Sequence, residues 1–138
     1  MAEESTPSEI EALVDAARRA STKAYAPYSR FQVGAAVLTE GGDIFAGCNV
    51  ENASYGLTIC AERNAIFQAA AQGKRVVRAV VIYTPTDLPT APCGACRQVL
   101  NEFGPEAMVL CLCDGSEMIR ATLAELLPKA FGPKNLDL

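Results

Sequence analysis

The chain has 138 residues, half of them apolar and 20% charged, with a net charge of −4 and no histidine. That composition predicts one globular domain spanning residues 1–138, large enough for a hydrophobic core and unlike a disordered chain. The missing histidine excludes His-based triads and imidazole metal ligands, so acid–base chemistry near neutrality falls to carboxylates, thiols, lysines or metal-bound water. The 12 basic residues are scattered, with Lys74-Arg75 and Arg78 the densest group, so no nucleic-acid surface is expected. No apolar run approaches a membrane span, and Met1 to Ser8 has no secretory pattern, so a cytoplasmic protein is expected. In that compartment six cysteines read as metal ligands, catalytic thiols or buried free thiols.

A helix is predicted from Ser8 to about Ala24. Ser8 and Glu11 match a capping box, and Ile10, Leu13, Ala17, Ala20 and Ala24 recur at helical spacing. Ala26-Pro27-Tyr28-Ser29 breaks it. A strand over Phe31–Thr39, a turn at Gly41-Gly42-Asp43 and a returning strand over Ile44–Val50 make a hairpin. Glu51 to Leu57 reads as a loop. Thr58 is the expected N-cap of a helix from Ile59 to Gln72, which Gly73 stops. Val76–Thr84 is a buried strand, followed by a loop with three prolines. A third helix runs from Cys93 to about Phe103, then a strand over Met108–Cys113, a turn at Asp114-Gly115 and a fifth strand over Met118–Ala121. Thr122 caps a short helix to Leu127, and Pro128–Leu138 is a tail. Alternating strands and helices imply a three-layer α/β/α sandwich around a mixed sheet of about five strands.

Chemistry concentrates in Cys60-Ala61-Glu62 and Pro92-Cys93-Gly94-Ala95-Cys96. Cys93 and Cys96, three apart in the first turn of one helix, share a face. Cys60 lies in the first turn of another, and two helix N-termini favour thiolates. Both helices would start beyond the carboxyl ends of strands, where such sheets carry their sites. Three thiolates can hold one zinc and leave its fourth position open, with the Glu62 carboxylate near enough to move protons. Cys-x-x-Cys alone also suits a redox dithiol or a structural zinc knot. Cys48, Cys111 and Cys113 could in principle close such a knot, but their strand-like apolar contexts read as core. Zinc with three thiolates carries a net charge of −1. Arg63 either offsets it by donating to the cysteine sulfurs or is a solvated helix residue, and the two readings weigh equally.

Cys60-Ala-Glu-Arg63 together with Pro92-Cys-Gly-Ala-Cys-Arg97 resembles the zinc-dependent cytidine deaminases, with Cys60 in place of the commoner histidine, as in the homotetrameric group. The resemblance extends over Ala26-Pro-Tyr-Ser-Arg-Phe31, Val33-Gly-Ala-Ala36, Gly47-Cys-Asn-Val-Glu-Asn-Ala-Ser-Tyr55 and Leu127-Pro-Lys-Ala-Phe-Gly-Pro133. Asn64, where threonine is frequent, is a minor departure. The resemblance implies a cytidine deaminase-like fold and zinc-assisted hydrolytic deamination of cytidine and 2′-deoxycytidine. It implies one zinc per chain on Cys60, Cys93 and Cys96, with Glu62 shuttling protons. Phe31, Asn49, Glu51, Ala61, Tyr28, Tyr55 and Phe131 are implied to bind the pyrimidine nucleoside, Phe31 against the base and Asn49 and Glu51 on the ribose. Tyr28, Tyr55 and Phe131 would act across subunit boundaries in a homotetramer. Without the resemblance, Asn49 and Glu51 read as turn polar residues and the aromatics as packing. Competing readings are a deaminase of a blasticidin-type aminonucleoside and a zinc-stabilised binding module without catalysis.

Overall fold

The computed structural model describes residues 4–136. The start of the Met1–Ser8 segment and the last two residues of the tail lie outside them. Helix α1 spans Pro7–Ser21, and strands β1 and β2, Gly34–Thr39 and Ile44–Cys48, form the hairpin. Next come α2 (Ala61–Ala71), β3 (Val77–Tyr83), α3 (Gly94–Phe103), β4 (Met108–Leu112), β5 (Ile119–Thr122) and α4 (Leu123–Leu126). Short 3-10 turns occur at Tyr55–Leu57 and Pro133–Leu136.

The five strands form one mixed sheet in the order β2-β1-β3-β4-β5. Only β3 and β4 run parallel. Side chains alternate between the faces of a strand, and here both faces are covered, so β1 and β3 are buried throughout and, Thr39 and Arg78 apart, apolar. On one face Leu13 and Ala17 of α1 pack against Ala36, Leu38, Ala79, Val81 and Leu110. On the other, Ala61, Ala65, Ile66 and Ala69 of α2, Leu100 of α3 and Leu123 pack against Ala35, Val37, Val80, Ile82, Val109 and Cys111. The expected three-layer architecture is the observed one.

Element ends differ from the sequence expectation for local reasons. The capping box is Thr6 with Glu9 rather than Ser8 with Glu11. Thr6-x-x-Glu9 fits the same pattern and puts Pro7 at the first helical position, where its fixed φ and missing N–H cost nothing. Glu9 also reaches Arg78 of β3 at 2.9 Å, which ties the start of α1 to the sheet. The first strand begins at Gly34 rather than Phe31, because the backbone of residues 31 and 33 bonds to the Asn49 side chain. Helix α2 starts after Cys60 rather than at a Thr58 cap. Ile59 and Val50 exchange both backbone hydrogen bonds at 3.0 Å, which keeps the chain extended up to the cysteine. Cys48 is half-buried at the outer edge of β2 instead of lying in the core, whereas Cys111 and Cys113 are buried as expected. It borders a cavity of about 870 Å³ that lies between α1, β2 and α2 and includes none of Cys60, Cys93 or Cys96 in its wall.

Candidate metal centre and nucleoside site

Cys60 is the N-cap residue of α2 and Cys93 that of α3, and neither side chain caps its helix. Both sulfurs are therefore free to turn toward a common point at which two helices present unpaired N–H groups and positive dipole ends. Cys96 follows in the first turn of α3, and the sulfurs of Cys60, Cys93 and Cys96 all lie within 4.8 Å of one another. Among the described residues no fourth side chain joins this group.

The donor set suits zinc. A tetrahedral ion about 2.3 Å from each thiolate needs its sulfurs roughly 3.8 Å apart, and Cys60 and Cys93 are separated by 3.9 Å. The thiols already act as a unit. A hydrogen bond with Cys96 draws the Cys60 thiol down to about 5 against the opposing effect of burial, and Arg63 adds to the lowering. The same bond, together with burial, pushes Cys96 up. A dication held by all three sulfurs would displace their protons.

Arg63 sits one turn along α2 and its Nη2 donates to Cys60 Sγ at 3.4 Å. Its Nε is buried without a hydrogen-bond partner among the described residues. Of the two readings of Arg63, the geometry supports the one that offsets thiolate charge. Glu62 is only 5% exposed. Burial first, then the charge of Cys60, raises its carboxyl to about 7, so it can take and return a proton near neutral pH. Ala61 is fully buried in the core, which leaves its N-terminal backbone N–H as its group for a ligand.

Two supports were not read from the sequence. Arg97 donates from Nε to the carbonyl of Pro92 at 2.8 Å and from Nη1 to that of Leu126 at 3.0 Å. It thereby fixes the approach of the chain to Cys93 and docks α3 on α4. Asn64 donates to the Cys48 carbonyl at 2.8 Å and holds the first turn of α2 against β2.

A second group surrounds the loop before β1. Asn49, 7% exposed, accepts from Val33 N at 2.9 Å and donates to the Phe31 carbonyl at 2.7 Å. Glu51 accepts from the backbone of Tyr28 and Ser29 and from the Ser29 hydroxyl. The Ser29 hydroxyl foremost holds this carboxyl below its ordinary range. Tyr28 and Tyr55 are exposed and stack obliquely, ring centres 5.7 Å apart. Phe31 is also partly exposed. The Val50–Ile59 bridge connects the two groups, because it pairs the residue between Asn49 and Glu51 with the one before Cys60. Phe131 is held to α3 instead. Its carbonyl accepts from Gln98 and Asn101, and the residue is 58% exposed.

Residues 7–112 match the family described as the cytidine and deoxycytidylate deaminase zinc-binding region. A cytidine deaminase of Sporosarcina psychrophila is 43% identical over 130 residues, 94% of this chain and 96% of that protein. One from Halalkalibacterium halodurans is 46% identical over 126 residues, covering 91% and 96%. The crystal structure of cytidine deaminase from Burkholderia pseudomallei superposes with a TM-score of 0.83 at 50% identity, covering 88% of this chain and 98% of that one. Fold and cysteine centre thus define a zinc-binding deaminase. The chain belongs to the cytidine and deoxycytidylate deaminase family.

Proposed function

We propose that the protein hydrolyses cytidine and 2′-deoxycytidine to uridine and 2′-deoxyuridine with release of ammonia. The observation that carries this reading is a buried carboxylate, Glu62, two residues beyond a ligand of a three-sulfur centre with no fourth protein ligand among the described residues. Cys60, Cys93 and Cys96 would hold one zinc per chain, whose chemistry would be to activate a water as nucleophile. Glu62 would take one proton from this water and deliver it to ring N3; after addition at C4 it would take the second from the new C4 hydroxyl and pass it to the amine, which leaves as ammonia as the C4 carbonyl forms. Arg63 offsets the charge of the thiolates. The N–H of Ala61 is available to the base.

Phe31 packs against the pyrimidine, and Asn49 and Glu51 hold the sugar. Glu51 has spent three of roughly four acceptor positions on its own loop, which leaves about one for a hydroxyl. Its ionised carboxylate disfavours a phosphate beside the sugar. The exposure of Tyr28, Tyr55 and Phe131 supports a homotetramer in which neighbouring subunits complete each pocket. Among the described residues no helix is long and apolar enough to cross a membrane. We read the protein as a single domain over residues 1–138 acting in the cytoplasm.

Loss of cytidine absorbance at controlled zinc content, with and without chelator, tests the reading. The expected result is zinc-dependent turnover of cytidine and deoxycytidine, with cytidine 5′-monophosphate a poor substrate. One zinc per chain without turnover would make the protein a binding module. Comparable kcat/KM for the nucleotide would refute the role given to Glu51.

A further inference from the structure

The loop that carries Phe31 is held by side chains rather than by a strand ladder. Asn49 grips the Phe31 carbonyl and the Val33 N–H. Glu51 grips the N–H groups of Tyr28 and Ser29, at 2.9 and 3.1 Å. Between these two clamps stands Ser29. Its hydroxyl donates to Glu51 Oε2 and at the same time accepts from Phe31 N at 3.0 Å. The intervening Arg30 has φ +61, a left-handed conformation unfavourable for a residue with a side chain. The turn is stitched by Arg30 N to the Ala26 carbonyl at 2.9 Å and by the serine bond across it. Ser29 and Glu51 also border a small hollow of about 210 Å³, together with Tyr28, Tyr55 and Thr58. The clamp therefore borders open space and not core.

Building on the proposed function, we propose that Ser29 is a positioning residue for nucleoside binding, its hydroxyl locking the Glu51 carboxylate and the Phe31 main chain into one fixed arrangement. With Ser29 Oγ on one lone pair of Oε2, the carboxylate is held in a single rotamer with its remaining acceptor position directed by the protein. Phe31 meanwhile is held at N by Ser29 and at O by Asn49. Without the hydroxyl, Phe31 N loses its partner, the left-handed turn at Arg30 loses its closure, and Glu51 can rotate. Ser29 touches neither the sulfur cluster nor Glu62 among the described contacts, so its removal acts on binding rather than on proton transfer.

The test uses the zinc-loaded full chain with Ser29→Ala and Ser29→Thr. The serine is exposed, so the threonine methyl has room. For Ser29→Ala the expected result is a KM for cytidine raised about tenfold, the order expected from losing a hydrogen bond to a charged group. kcat and zinc content should be unchanged, and Ser29→Thr should restore KM. Independently of activity, amide hydrogen exchange at Phe31 should quicken in Ser29→Ala and recover in Ser29→Thr. An unchanged KM overturns the proposal, as does a loss that falls on kcat or zinc content. If the wild-type chain leaves cytidine untouched, the functional reading fails by itself. The exchange measurement then decides for Ser29, and an unaltered Phe31 amide overturns its role.

Discussion

Replacing Gly47 by alanine should displace the helix that carries Cys60 and Glu62. Gly47 lies on β2 beneath the first turn of α2. A Cβ there would stand 2.6 Å from Ala65 N, 2.8 Å from the Ala61 carbonyl oxygen and 3.0 Å from Asn64 Cβ. Ordinary contact begins near 3.4 Å, so α2 or β2 must yield by about 0.8 Å, and two of the three obstructing atoms are backbone. Overpacking of this kind costs roughly 1–3 kcal/mol, and the rigid obstruction points to the upper end. About 3 kcal/mol lowers the melting temperature by roughly 10 °C in a domain of this size. Because Glu62 and Cys60 move with the helix, kcat should fall by about 100-fold, the scale set by ångström-sized misplacement of catalytic groups. Thermal unfolding, zinc content and cytidine turnover would be compared with Gly41→Ala, whose Cβ would meet nothing nearer than 3.7 Å. A Gly47→Ala protein with the wild-type melting temperature and turnover would refute the packing argument.

Three further outcomes are expected. Glu62→Gln should retain one zinc per chain and lose nearly all turnover, at least about 1,000-fold; an active, zinc-loaded variant would remove Glu62 from the mechanism. Arg63→Ala removes the donor to Cys60, so zinc should pass more readily to a competing chelator or activity should require higher pH. Unchanged values for both would return Arg63 to an ordinary helix residue. Glu9 is held below the ordinary carboxylate range by the Thr6 backbone and by Arg78. A carboxyl lowered in the folded state stabilises above its unfolded value and loses that contribution as pH falls through its folded one. The stability gap between wild type and Glu9→Gln, measured by urea unfolding, should be open at neutral pH and close as the solution is acidified below about pH 4. A gap independent of pH would contradict this.

Much of the site was legible because its parts are local. Cys93 and Cys96 are three residues apart, Glu62 follows Cys60 by two and Arg63 by three, and one helical turn fixes such spacings in whatever fold contains them. The helix starts were less legible. Thr58 has the better capping side chain, but a bridge between Val50 and Ile59, far from each other in local terms, holds the chain extended to Cys60. Ser8 with Glu11 is as good a capping pattern as Thr6 with Glu9, and a salt bridge 69 residues away in sequence favours the latter. Cys48 looked like core because its neighbours are apolar. Only the sheet order reveals that it ends an edge strand.

Residue types and short-range spacing were therefore enough to specify an all-sulfur metal centre with an attendant carboxylate, because ligand chemistry is a property of side chains and one helical turn. Tertiary structure alone decided that Cys60 and Cys93, 33 positions apart, stand at 3.9 Å, that burial brings Glu62 to about 7, and that Ser29, Asn49 and Glu51 are spent on one loop. Each of those depends on segments distant in sequence meeting at close range, and on water being excluded where they meet.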